Sequence, residues 1–350
     1  MPVTTARPPQ SPTPAFRPAR PASRRSPERA VWRLALVNNM PDAALEDTER
    51  QFCGLLRQAA GPRPVSLSLH YLPSVPRGAA ARERLRRSYL GWDELFNHPY
   101  DGVIVTGTEP QQSDLRQEPY WPELAQVFDW AARETRSAIY SCLAAHAAVL
   151  HTDGIARQPR GEKLLGIFPT RTATSHPLLE GVECQFPHSR WNELRAQDLA
   201  TAGYAVLAQS PEAGVDVFVK EWGRNLAVCL QGHPEYQATT LLKEYRRDVR
   251  RFLLGQRAVY PALPRHYFGP SSAQALAAFQ QRAQARPHPK LMTEFPDASI
   301  TARLRSSWAA DARVLYRNWL GYLAAHPRTR AAVVTPGRAA DVCDRAVPCR

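Results

Sequence analysis

The residue with the clearest chemical potential in this chain is a cysteine placed where a buried strand gives way to a helix. Cys142 stands in Arg136-Ser137-Ala138-Ile139-Tyr140-Ser141-Cys142-Leu143-Ala144-Ala145-His146, and Gln231-Gly232-His233-Pro234-Glu235-Tyr236 closes a second apolar run, with His233 91 residues beyond the cysteine. A thiol, an imidazole and a carboxylate, each at a strand end, are the parts that nucleophilic catalysis by a thiolate requires. A lone cysteine in an apolar segment is more often a core residue. Cys142 differs in its position, because the N-terminus of a following helix supplies free N–H groups and a positive dipole end. Both stabilise a thiolate, and the same N–H groups can hold an oxyanion. His233 precedes a turn-fixing proline and lies two residues before Glu235, so in extended backbone the carboxylate can orient the imidazole. His146, one helical turn past Cys142, reads as a packed or surface histidine rather than the base.

These residues need a scaffold that brings strand ends together, and the rest of the sequence alternates accordingly. Val31–Asn38 predicts a buried strand, Ala44–Ala59 a helix, Val65–Leu72 a strand, and Arg77–Asn97 a basic helical excursion. Gly102–Val105, Trp121–Glu134, Ala138–Ser141 and Leu143–His151 continue the strand-helix order. The stretch Glu162–Glu221 reads as antiparallel strands added to the sheet, and Glu235–Leu254 and Leu304–Ala325 as helices. The fold class is therefore α/β, a mainly parallel sheet with helices on both faces and added antiparallel strands. Such sheets bind ligands at the carboxyl ends of their strands, where Thr106, Cys142 and His233 all fall.

With 350 residues, 44% hydrophobic, the chain can bury a full core, and no run of 18 apolar residues suggests a membrane span. The N-terminus lacks the apolar stretch of a secretory signal, which predicts a cytoplasmic protein with reduced thiols. The formal charge of +13 is concentrated at the ends: residues 1–30 hold six Arg against Glu28, and residues 325–350 hold five Arg against Asp341 and Asp344. The body keeps only about +5, which suits an enzyme for anionic substrates as well as a DNA binder; neither nucleic acid nor a membrane is expected as a partner. Residues 1–30 and 326–350 read as disordered Pro/Arg-rich and basic tails flanking one domain, 31–325. The six cysteines form no CxxC or Cys/His zinc spacing, so no metal is expected; Cys53 and Cys229 read as small core residues.

Seven segments carry a likeness in one order: Asn38-Asn39-Met40-Pro41, Asp101 to Gly107, Tyr120-Trp121, Ser141-Cys142-Leu143-Ala144, Glu162-Lys163-Leu164, Pro187-His188-Ser189-Arg190 and Gly232 to Tyr236. Together they resemble the homoserine O-succinyltransferase/O-acetyltransferase family of methionine biosynthesis. The resemblance implies a class I glutamine-amidotransferase-like fold and a ping-pong acyl transfer, with acyl-coenzyme A as cosubstrate and no other cofactor. By the same resemblance Cys142 is the acyl-carrying nucleophile, His233 the general base and Glu235 its orienting carboxylate. Lys163 and Ser189 match substrate-contact positions, and Arg247 matches the arginine that holds the acceptor's α-carboxylate. A guanidinium suits that last task through two charge-assisted hydrogen bonds.

Two departures bear on the expected activity. The family carries lysine just after its Met-Pro, whereas Asp42 and Ala43 follow here, leaving that place without a cation. The family also reads Thr-Gly-Ala-Pro-x and then Gly, which leaves room for a succinyl carboxylate, or Glu, which repels it and favours acetyl. Here the run is Thr106-Gly107-Thr108-Glu109-Pro110-Gln111-Gln112, placing the neutral Gln111 at the acyl-specificity position, or Gln112 if the prolines are aligned. Two other readings use the same residues: a glutaminase or peptidase-like Cys-His-Glu hydrolase, and a binding protein of this fold that has lost catalysis. Glutaminases flank their cysteine with glycines, where Tyr140 and Ala144 stand here. The aromatic helix through Trp308 and Tyr322 offers a surface for a homodimer.

Overall fold

A computed structural model describes residues 31–326; the predicted tail 1–30 and, apart from His326, the predicted tail 326–350 lie outside the described residues, as do Cys343 and Cys349. Ten strands run Trp32–Val37 (β1), Val65–His70 (β2), Gly102–Val105 (β3), Ser137–Ser141 (β4), Gln158–Ile167 (β5), Arg171–Thr172 (β6), Pro187–Glu193 (β7), Ala205–Ser210 (β8), Gly214–Trp222 (β9) and Asn225–Leu230 (β10). The helices are Asp42–Ala60 (α1), Ala79–Ser88 (α2), Glu94–Asn97 (α3), Trp121–Glu134 (α4), Leu143–Asp153 (α5), Ala196–Thr201 (α6), Thr240–Leu253 (α7), Pro270–Ala285 (α8), Asp297–Thr301 (α9) and Ala309–Ala325 (α10). Eight strands form one sheet in the order β2-β1-β3-β4-β10-β9-β8-β6. Its first five strands are parallel, and β9, β8 and β6 extend it antiparallel. The expected α/β architecture is thus present.

Period-two alternation divides the core. Leu34, Leu36 and Ile104 face one side with α1, α7, α8 and α10, while Ala35, Val37, Val105 and Tyr140 face the other with α4 and α5. Nearly every residue of β1, β3, β4 and β10 is buried, which explains why these strands read as continuous apolar runs. Among the described residues no helix is long and apolar enough to cross a membrane.

Four expectations need correction. The basic run Arg77–Asn97 is two helices broken at Tyr89, because tertiary bonds claim the break. Asn38 donates to the Tyr89 hydroxyl (2.9 Å), and Leu90 N–H donates to Leu69 O (2.8 Å). Of the antiparallel strands, β5 and β7 form their own two-stranded sheet instead of joining the main one, a choice that side-chain alternation cannot specify. The helix expected from Glu235 begins only at Thr240, the preceding residues being held in turns that close on His233 O and Gln237 O. The last helix begins at Ala309, and the aromatic face offered for self-association is consumed within the chain: Trp308, Tyr316 and Trp319 are fully buried. Cys229 is buried as expected.

That last helix is keyed into the sheet. Trp319 donates its indole N–H to Ser137 Oγ (2.9 Å), whose hydroxyl donates to Leu226 O (2.6 Å). The ring fits because β3 begins with glycine: a Cβ on Gly102 would lie 2.7 Å from Trp319 Cζ2 and 3.1 Å from Leu323 Cδ1. Gly102→Ala is therefore expected to destabilise the protein by about 1–3 kcal/mol through overpacking, read from chemical denaturation midpoints. A variant as stable as the parent would show that α10 does not depend on this fit.

Candidate active site

Cys142 connects β4 to α5 and is one of three described non-glycine residues with positive φ, at φ 51° and ψ −109°. That conformation is strained for a residue with a Cβ, and its neighbours hold it. Cys142 N–H donates to Leu230 O (2.7 Å), tying the elbow to the end of β10, and Cys142 O accepts from Ala145 (3.0 Å) and His146 (3.3 Å) as α5 starts. The Leu143 and Ala144 N–H groups, which open α5 directly after the thiol, have no intrahelical acceptor. Room for the elbow comes from the neighbouring loop, since a Cβ on Gly107 would sit 2.5 Å from Leu143 Cβ. The sharp turn thus forms without flanking glycines; Tyr140 and Ala144 are fully buried there. The missing glycines therefore do not by themselves exclude a strained elbow.

The ends of the parallel strands are laced together around this point. Asn39 N–H donates to Thr106 Oγ1 (2.8 Å), Asn39 Nδ2 donates to Thr106 O (3.2 Å), and Asn39 Oδ1 accepts from Leu72 N–H (3.2 Å). One buried amide so joins the chain ends that follow β1, β2 and β3. In the Met-Pro loop a cation is present after all, supplied by another segment. Arg77 donates to Met40 O and to Asn38 O (3.4 Å) and pairs with Asp42 (3.3 Å), while Asp42 also accepts from Gly78 N–H (2.7 Å). Arg77 is nearly wholly buried and spends its donors on the loop, so it braces the loop.

His233 is brought to Cys142 by its own N–H, which donates to Pro187 O (2.7 Å) at the start of β7, and by the buried Asp216, which accepts from Gly232 N–H (2.9 Å). Its Nδ1 lies 2.8 Å from Glu235 Oε1, so the two-residue spacing does aim both side chains together. The ring is hydrogen-bonded to Cys142 as well. Burial would lower the imidazole pKa, but the charges of Glu235 and Cys142 outweigh it and hold His233 well above the usual histidine range. Glu235 and Cys142 thus favour the imidazolium form of His233. His146 is elsewhere: buried, its pKa lowered to about 3 by desolvation, it is a neutral ring 2.9 Å from Gln231 Oε1. Its role is packing, as expected.

A second cluster adjoins the triad. Tyr236 stacks on His233 with ring centroids 4.2 Å apart, and its hydroxyl donates to Glu244 Oε1 (2.6 Å). Glu244 also accepts from Ser189 Oγ and lies 3.4 Å from Lys163 Nζ, whose closer partner is Asp248 (2.9 Å). Burial would raise the Glu244 carboxyl, but Lys163, Ser189 and Tyr236 overcome it and hold the group below its usual range. Lys163 reaches these acids because a register shift between Pro159 and Leu164 bulges β5. Arg247 is half-exposed and touches Glu244 (3.8 Å) and Asp248 (3.5 Å) only loosely, leaving donors for a ligand. Lys163 and Ser189 are therefore bound into an internal network, and Arg247 faces outward.

The loop after β3 flanks the other side. Glu109 pairs with Arg251 (3.3 Å), and the backbone N–H groups of Gln111 and Gln112 donate to buried Glu118 (2.5 and 2.6 Å). Gln111 is exposed, its side chain making only a long contact to Glu109 O (3.5 Å). Arg190, nearly fully buried, has its pKa lowered to about 10 by desolvation, with the Cys142 charge acting against that fall.

The structure places Cys142, His233 and Glu235 together; sequence reasoning did not single out Tyr236, Glu244, Asp248, Glu118 or Arg157 as parts of the surroundings. A signal for two of them existed: Glu244 and Asp248, four apart, are the only acids in α7 among five cations.

Comparison with known proteins shows the family. A family model described as homoserine O-succinyltransferase matches residues 21–329. The homoserine O-succinyltransferase of Rhodopseudomonas palustris is 44% identical over 309 residues, covering 87% of this chain and 92% of that protein. That of Methylorubrum extorquens is 46% identical over 296 residues, covering 84% and 88%. Among solved structures, a glutamine amido transferase from Methylobacillus flagellatus overlaps 89% of this chain and 99% of its own at 13% identity, with a TM-score of 0.43. From the family match and these long relatives, the chain belongs to the homoserine O-succinyltransferase family.

Proposed function

We propose that this protein moves a succinyl or acetyl group from acyl-coenzyme A to the hydroxyl of L-homoserine through a thioester on Cys142, in the methionine branch of amino-acid biosynthesis. The observation that carries the reading is the Cys142–His233–Glu235 chain at a strained strand-to-helix elbow, with a half-exposed arginine close by on α7. The relatives named above support the choice of acyl transfer over hydrolysis. We place the enzyme in the cytoplasm, where the nucleophile stays reduced.

In the first half-reaction the Cys142 thiolate attacks the thioester carbonyl of the donor, forming a C–S bond. The tetrahedral oxyanion faces the N–H groups at the start of α5. Collapse breaks the bond to coenzyme A, whose departing sulfur takes the proton from His233. In the second half-reaction His233, now neutral, accepts the proton of the acceptor hydroxyl as its oxygen attacks the Cys142 thioester. Expulsion of the thiolate restores the ion pair with His233 and leaves the O-acyl product. Glu235 keeps the Nδ1 proton directed at itself and so presents Nε2 to the reacting atoms. Arg247 holds the acceptor's α-carboxylate, a task that its loose contacts to Glu244 and Asp248 leave it free to perform.

Intact-protein mass spectrometry after mixing with succinyl- or acetyl-coenzyme A, without acceptor, is expected to show one added acyl group that disappears when homoserine is supplied. Cys142→Ala should show no adduct and no turnover; a variant keeping most of its activity would refute the thioester. Arg247→Ala is expected to raise KM for homoserine by about 10–100-fold with a smaller change in kcat, and an unaltered KM would remove Arg247 from acceptor binding. Glu235 raises the proton affinity of His233, so Glu235→Gln removes one of the two charges that oppose burial and the imidazolium deprotonates at lower pH. The alkaline limb of the acylation rate should accordingly move to lower pH in stopped-flow measurements; a fixed limb would mean that Glu235 does not set the state of His233.

A further inference from the structure

The cations around the site are not equally matched. Lys163 pairs with Asp248 (2.9 Å), Arg251 with Glu109 (3.3 Å), and Arg160 with Glu193, whereas Arg157 has no ion pair among the described residues. It is half-buried on the segment between α5 and β5. It donates only through Nη2, to Gln112 O (3.1 Å) and Ser113 O (3.2 Å). Its Nε and Nη1 hydrogens have no acceptor among the described residues. The carboxylates whose fields it feels are engaged elsewhere: Glu118 accepts from the Gln111 and Gln112 N–H groups, and Asp114 pairs with Arg116 (2.9 Å). The guanidinium lies directly against the loop that holds Gln111, and the Cys142 charge acts on it as well.

We propose that Arg157 receives the distal carboxylate of a dicarboxylic acyl group while that group is carried on Cys142, making it a specificity-determining residue for succinyl over acetyl transfer. The inference rests on the acyl-transfer reading above. A succinyl thioester ends in a carboxylate two methylenes beyond its carbonyl, and a guanidinium with unused donors on one edge is shaped to take both oxygens. A part-buried cation without a counter-ion is unfavourable until an anion arrives, so the carboxylate gains what an acetyl group has no atoms to supply. Gln111, exposed and neutral, adds no repulsion. Discrimination is strongest where a site's polar groups stay unpaired with the wrong substrate.

The test compares kcat/KM for succinyl-, acetyl- and butyryl-coenzyme A in the full-length enzyme, in Arg157→Gln and in Arg157→Lys, each checked for native folding by circular dichroism. Butyryl has the same carbon count as succinyl without the charge. The succinyl-to-butyryl ratio is expected to fall by about 10–100-fold in Arg157→Gln, with part of it restored in Arg157→Lys. If rates for all three donors fall together and the ratio is kept, Arg157 supports only the loop or the thiolate, and the proposal is overturned. If the parent enzyme forms no adduct with any donor, the acyl-transfer reading itself fails, an outcome plainly different from a preserved ratio.

Discussion

The strained backbone at Cys142 is the constraint from which most of the architecture follows. A positive φ with a Cβ attached is costly, and it persists only where the surroundings leave no alternative. Here Leu230 O fixes the N–H, the first turn of α5 fixes the carbonyl, and Gly107 vacates the space that Leu143 enters. Apart from α5, which follows directly, these contacts come from β10 and the loop after β3, which are adjacent to Cys142 only because the parallel sheet orders β3, β4 and β10 side by side. The lacing of Asn39 to Thr106 and Leu72 keeps that edge in register. Exposing a thiol at the head of a helix therefore depends on the whole sheet edge.

Charge is the second organising principle. Five cations on α7 would repel one another and any neighbouring lysine, and the two acids among them offset this by gathering Lys163, Ser189, Tyr236 and Arg247 into one network. Through Tyr236 the network touches the His233 ring, so the elements that orient the base and those that present Arg247 share a common anchor. The Met-Pro loop follows the same logic, with Asp42 and Arg77 forming a pair in place of a single lysine.

What could be read in the sequence was whatever local pattern encodes. Buried parallel strands are continuous apolar runs, so β1, β3 and β4 were legible almost to the residue. The two-residue step from His233 to Glu235 was legible as a pair, but the backbone that joins them is a turn closing on His233 O and not the extended chain expected. What escaped was decided by partners remote in sequence. The helix expected through Tyr89 breaks because Asn38 and Leu69 claim its atoms. The pairing of β5 with β7 depends on which edge is free, and the cation of the first loop arrives from 35 residues away. The aromatic helix was the same kind of case: its spacing marks a buried face without saying what buries it, and the answer is this chain's own sheet.

That helix has a temporal consequence. Trp319 grips the base of the nucleophile's strand through Ser137, and Trp308 donates to Tyr236 O (2.8 Å), the backbone beneath the ring that stacks on the base. Both tryptophans are among the last residues described, whereas β1 to β4 belong to the first half. During synthesis from the N-terminus the sheet can pair long before these anchors leave the ribosome. The strands that frame the nucleophile can thus pair before the two tryptophans that brace Ser137 and the Tyr236 backbone have been made.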